Sequence, residues 1–288
     1  NPHALIEGML IASYAIGAEV AYCYLRGEFI DDVYLSVKKA LKDAYTNKLI
    51  GKNILDSNVC IEIHDLIGAG AYIVGEETAM LESIEGKKGF PRYKPPFPAV
   101  KGLFGCPTII NNVETLASVP EIINKGSEWF NKIGTDKSSG FKCFSVSGHV
   151  NKPGNYEIPL GTPFKDLLEL AGGVKNNKKL KAVIPGGSSV PVVPGEKMLE
   201  TNMDYESISN AGSIIIMDED TNMVEVIHRI ARFYYSESCG QCTPCREGTG
   251  WMYKIIDKII KGQATIEDFE SLKSIPNMIS GSTICALG

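Results

Sequence analysis

Ser238-Cys239-Gly240-Gln241-Cys242-Thr243-Pro244-Cys245-Arg246 sets three thiols three residues apart, and a fourth, Cys285, returns after an intervening helical segment. Three cysteines so spaced crowd one compact loop too tightly to pair with one another. The pattern therefore points to a metal whose fourth corner comes from afar. Structural zinc usually sits between two paired Cys-x2-Cys knuckles. A 4Fe-4S cube is commonly held by one Cys-x2-Cys-x2-Cys loop and a remote cysteine. The spacing favours the cube and leaves a redox-silent zinc staple open. Pro244 stiffens the loop and Gly240 lets backbone approach sulfur, which suits either metal.

Working outward, 288 residues with 44% hydrophobic and 22% charged side chains suit a globular protein of two or three domains. Lys+Arg 29 against Asp+Glu 34 gives a net charge of -5, so charge proposes neither nucleic acid nor an anionic membrane as partner. Glu19 interrupts the most apolar region, Leu5 to Leu25, and no apolar run reaches bilayer length, so no direct membrane insertion is expected. Residues 1 to 25 carry no Lys or Arg and lack the basic opening of a secretory signal. Cys23, Cys60, Cys106 and Cys143 read as buried thiols of a reducing, cytoplasmic compartment. The chain opens without Met inside a running helix, so a segment of a longer polypeptide is expected.

Asn1 and Pro2 cap and open a helix with Leu5, Met9, Ala12 and Ile16 at helical spacing, and Gly17 stops it. Val20 to Leu25 reads as a strand, Asp32 to Asn47 as a helix with Val33, Val37, Leu41 and Ala44 inward, and Val59 to His64 as a second strand. That alternation implies a parallel sheet whose ligands sit beyond the carboxyl ends of its strands. Gly68-Ala69-Gly70-Ala71-Tyr72-Ile73-Val74-Gly75 occupies such a place, followed by a helix start at Glu76-Glu77-Thr78-Ala79. Glycines there turn backbone N–H groups and a helix dipole toward a ligand, or merely make a tight turn. The two acids complement the dipole, or accept hydrogen bonds from ribose or amide groups. Gly86 to Pro107 is a long loop containing Arg92-Tyr93-Lys94-Pro95-Pro96-Phe97-Pro98, and a loop of that length tends to be functional. Asn111-Asn112 cap the next helix or read a polar ring edge.

Composition shifts near Gly134 to Gly140. A hairpin over Phe141 to Ile158, a helix carrying Phe164, Leu167 and Leu168, and strands at Ala182 to Ile184 and Ser213 to Met217 make an α+β unit of β-grasp type. His149 reads there as structural. The last part is helical: Val224, Ile227, Ile230 and Tyr234 face inward on one helix capped by Thr221, Trp251, Ile255, Ile256 and Ile259 on a second, Phe269 and Leu272 on a third capped by Thr265. A helical bundle carries the four thiolates at one end.

Four strings in order then carry a family resemblance: Gly-Ala-Gly-Ala-Tyr with Gly-Glu-Glu-Thr-Ala at 68 to 79, Lys-Pro-Pro-Phe-Pro at 94 to 98, Asn-Asn-Val-Glu-Thr at 111 to 115, and Glu-Ser-Cys-Gly-x-Cys-x-Pro-Cys-Arg-Glu-Gly at 237 to 248. The chain resembles the NADH-binding flavoprotein subunit of respiratory complex I and its relatives in NAD(P)-linked or electron-bifurcating hydrogenases and formate dehydrogenases. The resemblance implies a partial FMN/NAD-binding α/β domain at 1–138, a β-grasp domain at 139–220 and a helical 4Fe-4S domain at 221–288. It implies that Tyr72, Gly75, Glu76, Asn111, Asn112 and Thr115 line an FMN site and that Glu77, Lys94 and Phe97 hold NAD(P)H. Cys239, Cys242, Cys245 and Cys285 would ligate a 4Fe-4S cluster, with Ala286 and Leu287 near the flavin. No catalytic acid or base is implied, since hydride transfer needs none. Implied partners are a thioredoxin-like 2Fe-2S subunit and a further iron-sulfur or hydrogenase subunit, with the chain cytoplasmic or peripheral at the inner face of a membrane complex. Two departures stand out: the family's first glycine-rich flavin loop precedes the position matching Asn1, and Val74 stands where many relatives have Cys.

Overall fold

A computed structural model describes residues 1–208 and 212–288. In chain order the main elements are α1 (Pro2–Ile16), β1 (Val20–Leu25), α2 (Val33–Thr46), β2 (Glu62–Ile67), α3 (Glu77–Ile84), α4 (Val113–Lys125), α5 (Ser127–Asn131), β3 (Phe141–Gly148), β4 (Gly154–Pro159), α6 (Phe164–Leu170), β5 (Leu180–Ile184), β6 (Val193–Pro194), α7 (Gly195–Leu199), β7 (Ser213–Asp218), α8 (Met223–Glu237), α9 (Thr243–Ile260) and α10 (Ile266–Ile279). They divide into two compact units, Asn1–Glu121 with Ala231–Gly288, and Ile122–Ile230.

In the first unit, Asn1 Oδ1 accepts from the Ala4 N–H, Pro2 sits in the first turn, and Gly17 closes α1 at φ 70. β1 and β2 pair in parallel from Val20 opposite Glu62 to Leu25 opposite Ile67. The second strand starts later than its apolar run suggests. Ile61 exchanges hydrogen bonds with Gly51 and the Val59 carbonyl takes the Ile54 N–H, so these groups are already engaged when the ladder begins. The core gathers Ile6, Met9, Cys23, Leu25, Val37, Ala40, Leu41, Ala44, Ile61 and Ile63. The buried stripe of α1 runs through Ile6, Met9 and Ser13, which leaves Ile16 57% exposed. On α2 the stripe is Val37, Ala40, Leu41 and Ala44; Val33 lies in line with it but is the first residue of the helix, beyond the packed turns, and is 43% exposed.

The remainder of this unit is helical. α9 opens inside the cysteine loop, with Pro244 in its first turn, so Cys245 is a helix residue. Thr265 and Asp268 form a reciprocal capping box at the start of α10. Ile255, Ile275 and Ile279 join the two helices, and Gly248 makes room, since a Cβ there would stand 2.6 Å from Ile279 Cδ1. Trp251, expected inward, is 50% exposed.

The second unit is the expected β-grasp: a five-stranded sheet in the order β4-β3-β7-β5-β6, with β3 and β7 parallel and the other neighbours antiparallel. Phe144, Val146, Phe164, Leu167, Val183, Ile214 and Ile216 fill its core. His149 is structural: its Nδ1 accepts from the Asp218 N–H at 3.2 Å, tying the ends of β3 and β7. Met223, Val226 and Ile230 of α8 pack on Ala182, Ile184 and Met217, so that helix turns Val224 and Ile227 outward, against expectation. Its start is capped by Asn222, whose Oδ1 accepts from the Val224 N–H, rather than by Thr221. Of the four scattered cysteines Cys23 alone is buried, its thiol pushed up to about 11 by burial and then by Asp65. Cys60, Cys106 and Cys143 are exposed. Among the described residues no helix is long and apolar enough to cross a membrane.

Gly8 gives a stability prediction. A Cβ there would lie 1.8 Å from the Leu116 carbonyl oxygen. Alanine would gain about 1 kcal/mol of helix propensity, but clearing backbone from backbone costs about 1–3 kcal/mol or more. Gly8→Ala should therefore lower the denaturant midpoint, and an unchanged or raised midpoint would contradict the packing described.

Candidate cofactor and metal site

The segment carrying Cys285 returns to the three-cysteine loop because α9 and α10 pair along their lengths and bring the chain after α10 back to the start of α9. The Ile284 N–H donates to Cys242 Sγ at 3.4 Å, which ties the Cys285 segment to the cysteine loop. Within that loop Ser238 Oγ lies 3.3 Å from Cys245 Sγ and accepts from the Gly240 N–H, while Arg246 Nη1 donates to the Gly240 carbonyl at 2.7 Å. Burial raises the Cys245 thiol, and burial with the charge of Cys239, Cys245 and Cys242 raises that of Cys285, so all four sulfurs lie within electrostatic reach. Among the described residues no three Cys, His, Asp or Glu side chains meet where one ion could sit. Four soft thiolates in a three-plus-one arrangement, with N–H and O–H groups at sulfur, suit an iron-sulfur cube.

The glycine-rich segment lies beyond the carboxyl end of β2. A Cβ on Gly27 would stand 2.5 Å from the Gly68 carbonyl oxygen, and one on Gly68 2.4 Å from Tyr24 Oη, so the loops after β1 and β2 touch without side chains between them. Arg26 and Glu28 pair at 2.8 Å, and the Glu28 carboxylate faces Gly70, whose φ is 90. Motif reading missed this pair, although its position just past β1 was a signal. Tyr72 is 40% exposed, its N–H donates to Glu237 Oε2 at 3.0 Å, and its ring stands edge-on to Phe233 with centroids 5.0 Å apart. Burial, then Tyr234, raises the Tyr72 hydroxyl. Ile73, Val74 and Ala79 form a small core against which Cys239, Cys285 and Leu287 pack, so Val74 serves as packing.

Glu76, Glu77 and Lys94 are brought together. Glu76 Oε2 caps α3 by accepting from the N–H groups of Thr78 and Ala79 at 2.8 and 2.9 Å, and Lys94 Nζ reaches Glu76 Oε1 at 3.2 Å and Glu77 Oε1 at 2.5 Å. Burial would raise the Glu76 carboxyl, but the bonds from Thr78, Ala79 and Lys94 hold it below the usual range. Lys94 is raised, first by Glu77. The loop carrying Lys94 is anchored by Arg92, which donates to Glu82, Glu85 and the Gly102 carbonyl. Nothing local in the sequence marked Arg92 out. Phe97 is 57% exposed. Asn111, Asn112, Thr115, Gly75 and Ala286 are also exposed, with Asn112 Oδ1 accepting from the Glu114 N–H as a cap of α4. A largely apolar cavity of about 750 Å³ between α1, β1, α3 and residues 99–116 is lined by Asn111 but by none of the other predicted site residues.

Residues 225–288 match the NADH-ubiquinone oxidoreductase-F iron-sulfur binding region, residues 1–121 the Nuo51 FMN-binding domain and residues 143–193 the SLBB domain. The NADH-quinone oxidoreductase F subunit of Rickettsia bellii (strain OSU 85-389) is 52% identical over 296 aligned positions, covering 100% of this chain and 71% of that protein. This chain belongs to the NADH-quinone oxidoreductase F-subunit family. The same protein of Rickettsia akari (strain Hartford) is 51% identical, again over 100% of the chain and 70% of that protein. Two structures of the NAD+-reducing [NiFe]-hydrogenase, H2-reduced and air-oxidized, superpose with a TM-score of 0.87 at 35% identity over 99% of this chain. They match it over 48% of the hydrogenase chain, so this chain spans about half the length of that one. The iron-sulfur match decides between the two metals left open by cysteine spacing. The chain thus has the FMN-binding and 4Fe-4S-binding regions of an electron-transfer oxidoreductase subunit.

Glu85 supplies a pH test. Lys87 first, then Arg92 and the Phe104 N–H, outweigh burial and lower its carboxyl from the ordinary 4.5 to about 2. A depressed folded-state pKa stabilises the fold above the unfolded value and loses that contribution as pH falls through the folded one. Glu85→Gln should be less stable than wild type above about pH 5, with the difference vanishing as pH approaches 2. Melting temperatures of both proteins across that range check it, and a pH-independent difference would contradict it.

Proposed function

We propose that the chain exchanges a hydride between NAD(H) or NADP(H) and FMN and passes the electrons singly through a 4Fe-4S cluster to partner subunits. Bound FMN supplies the conversion between two-electron and one-electron chemistry, because nicotinamide gives a hydride and an iron-sulfur centre takes one electron at a time. The work of the polypeptide is placement. Cys239, Cys242, Cys245 and Cys285 hold the cluster. Tyr72, Gly75, Glu76, Asn111, Asn112 and Thr115 line the flavin site, with Ala286 and Leu287 beside it, and Glu77, Lys94 and Phe97 hold the nucleotide. The observation that carries this reading is the shared core in which Ile73 and Val74 of the glycine-rich segment pack on Cys239, Cys285 and Leu287. It draws the flavin-side and cluster-side loops into one neighbourhood.

The three functional modules are residues 1–138 for FMN and nucleotide, 139–220 as a β-grasp docking module, and 221–288 for the cluster. Partners of matching chemistry are a thioredoxin-like 2Fe-2S subunit and a further iron-sulfur or hydrogenase subunit, with the assembly cytoplasmic or peripheral at the inner face of a membrane complex. Anaerobic addition of NADH to the full-length protein tests the reading. Flavin absorbance should bleach, followed by a one-electron paramagnetic signal. Cys242→Ser should keep the bleaching and lose most of the signal, since one corner exchanges a soft thiolate for a hydroxyl. Absence of bleaching, or a wild-type signal in Cys242→Ser, would overturn it.

A further inference from the structure

We infer that Thr78, a residue that touches no ligand in the reading above, is the positioning residue of the nucleotide-binding group. Its side chain is 1% exposed, and its hydroxyl makes two directed bonds. Oγ1 donates to Glu76 Oε2 and accepts from the backbone N–H of Arg92 at 2.8 Å. Glu76 Oε2 also takes the Thr78 and Ala79 N–H groups, so that oxygen is saturated from the α3 side while Oε1 is left for Lys94. The Arg92 guanidinium is meanwhile held by Glu82, Glu85 and the Gly102 carbonyl. One buried hydroxyl therefore contacts both the Glu76 carboxylate and the Arg92 N–H, and so anchors the returning loop that bears Lys94 and Phe97 against the first turn of α3. Valine at 78 would match the shape and keep the two backbone donors to Glu76, but it would remove the third donor and leave the Arg92 N–H unpaired, which would loosen the anchor of the loop that carries Lys94.

The inference rests on the proposal that Glu77, Lys94 and Phe97 hold the nucleotide, and the test separates the two. Full-length, FMN-loaded protein is prepared as wild type, Thr78→Val, Thr78→Ala, Thr78→Ser and Lys94→Met. NAD+ binding is measured by equilibrium dialysis, and NADH oxidation with an artificial acceptor gives KM and kcat. Thr78→Val and Thr78→Ala should weaken NAD+ binding and raise the NADH KM about tenfold, the effect of one hydrogen bond to a charged group, with kcat and flavin content held. Thr78→Ser should restore binding, and Lys94→Met should weaken it. Wild-type binding in Thr78→Val alongside weak binding in Lys94→Met would overturn the role of Thr78 alone. Wild-type binding in Lys94→Met as well would remove the nucleotide assignment itself. Failure of both hydroxyl-free variants to fold or load flavin would assign the hydroxyl to the fold, and overturn the inference equally.

Discussion

Four thiols within electrostatic reach of one another are the constraint on which the rest of this structure depends. Burial first, and then the neighbouring sulfurs, raises the cost of ionising Cys245 and Cys285. Such a group becomes favourable in its ionised form when positive charge sits among the sulfurs, and backbone N–H groups directed at them help. The pairing of α9 with α10 exists to return Cys285 to the loop, and the interlock of Gly248 with Ile279 lets the two helices approach closely enough to do so.

The second requirement is that this loop stay fixed against the glycine-rich segment. The Tyr72 N–H to Glu237 bond spans 165 positions of sequence, and Glu237 directly precedes Ser238, which contacts Cys245. The aromatic contact of Tyr72 with Phe233 and the core of Ile73 and Val74 against Cys239, Cys285 and Leu287 act in the same direction. On the far side of α3, Glu76 divides its oxygens between the helix end and Lys94, while the Arg92 ion pairs tether the loop. These pairs are part-buried, which gives them more weight than exposed ones.

Sequence carried some of this and not the rest, for reasons that differ by residue. The cysteine spacing, the Asn1 and Thr265 caps, β1 and the β-grasp order are set by local chemistry, and local chemistry can be read along the chain. The buried face of a helix is set by what lies opposite it. Trp251 and Val224 sit on apolar stripes beside the one the core selected, while Ile16 and Val33 are the last and first residues of their helices, where the packing ends. The exposed Cys60, Cys106 and Cys143 show the same limit, since an apolar run does not say which of its side chains turns inward. The Arg26 and Glu28 pair, the Arg92 tether and the Glu237 bond depend on how segments meet in space, which no single stretch of sequence displays. Glu76 was legible as a helix-start acid, and its hydrogen bonds show the capping role, while the reach of Lys94 to its other oxygen was not written in any one stretch.

The account stands on what the four sulfurs hold. Iron, acid-labile sulfide and zinc measured on one anaerobically purified sample of the full-length protein address that directly. About four irons and four sulfides for each chain, with no stoichiometric zinc, is the predicted result. One zinc for each chain and no sulfide would contradict it.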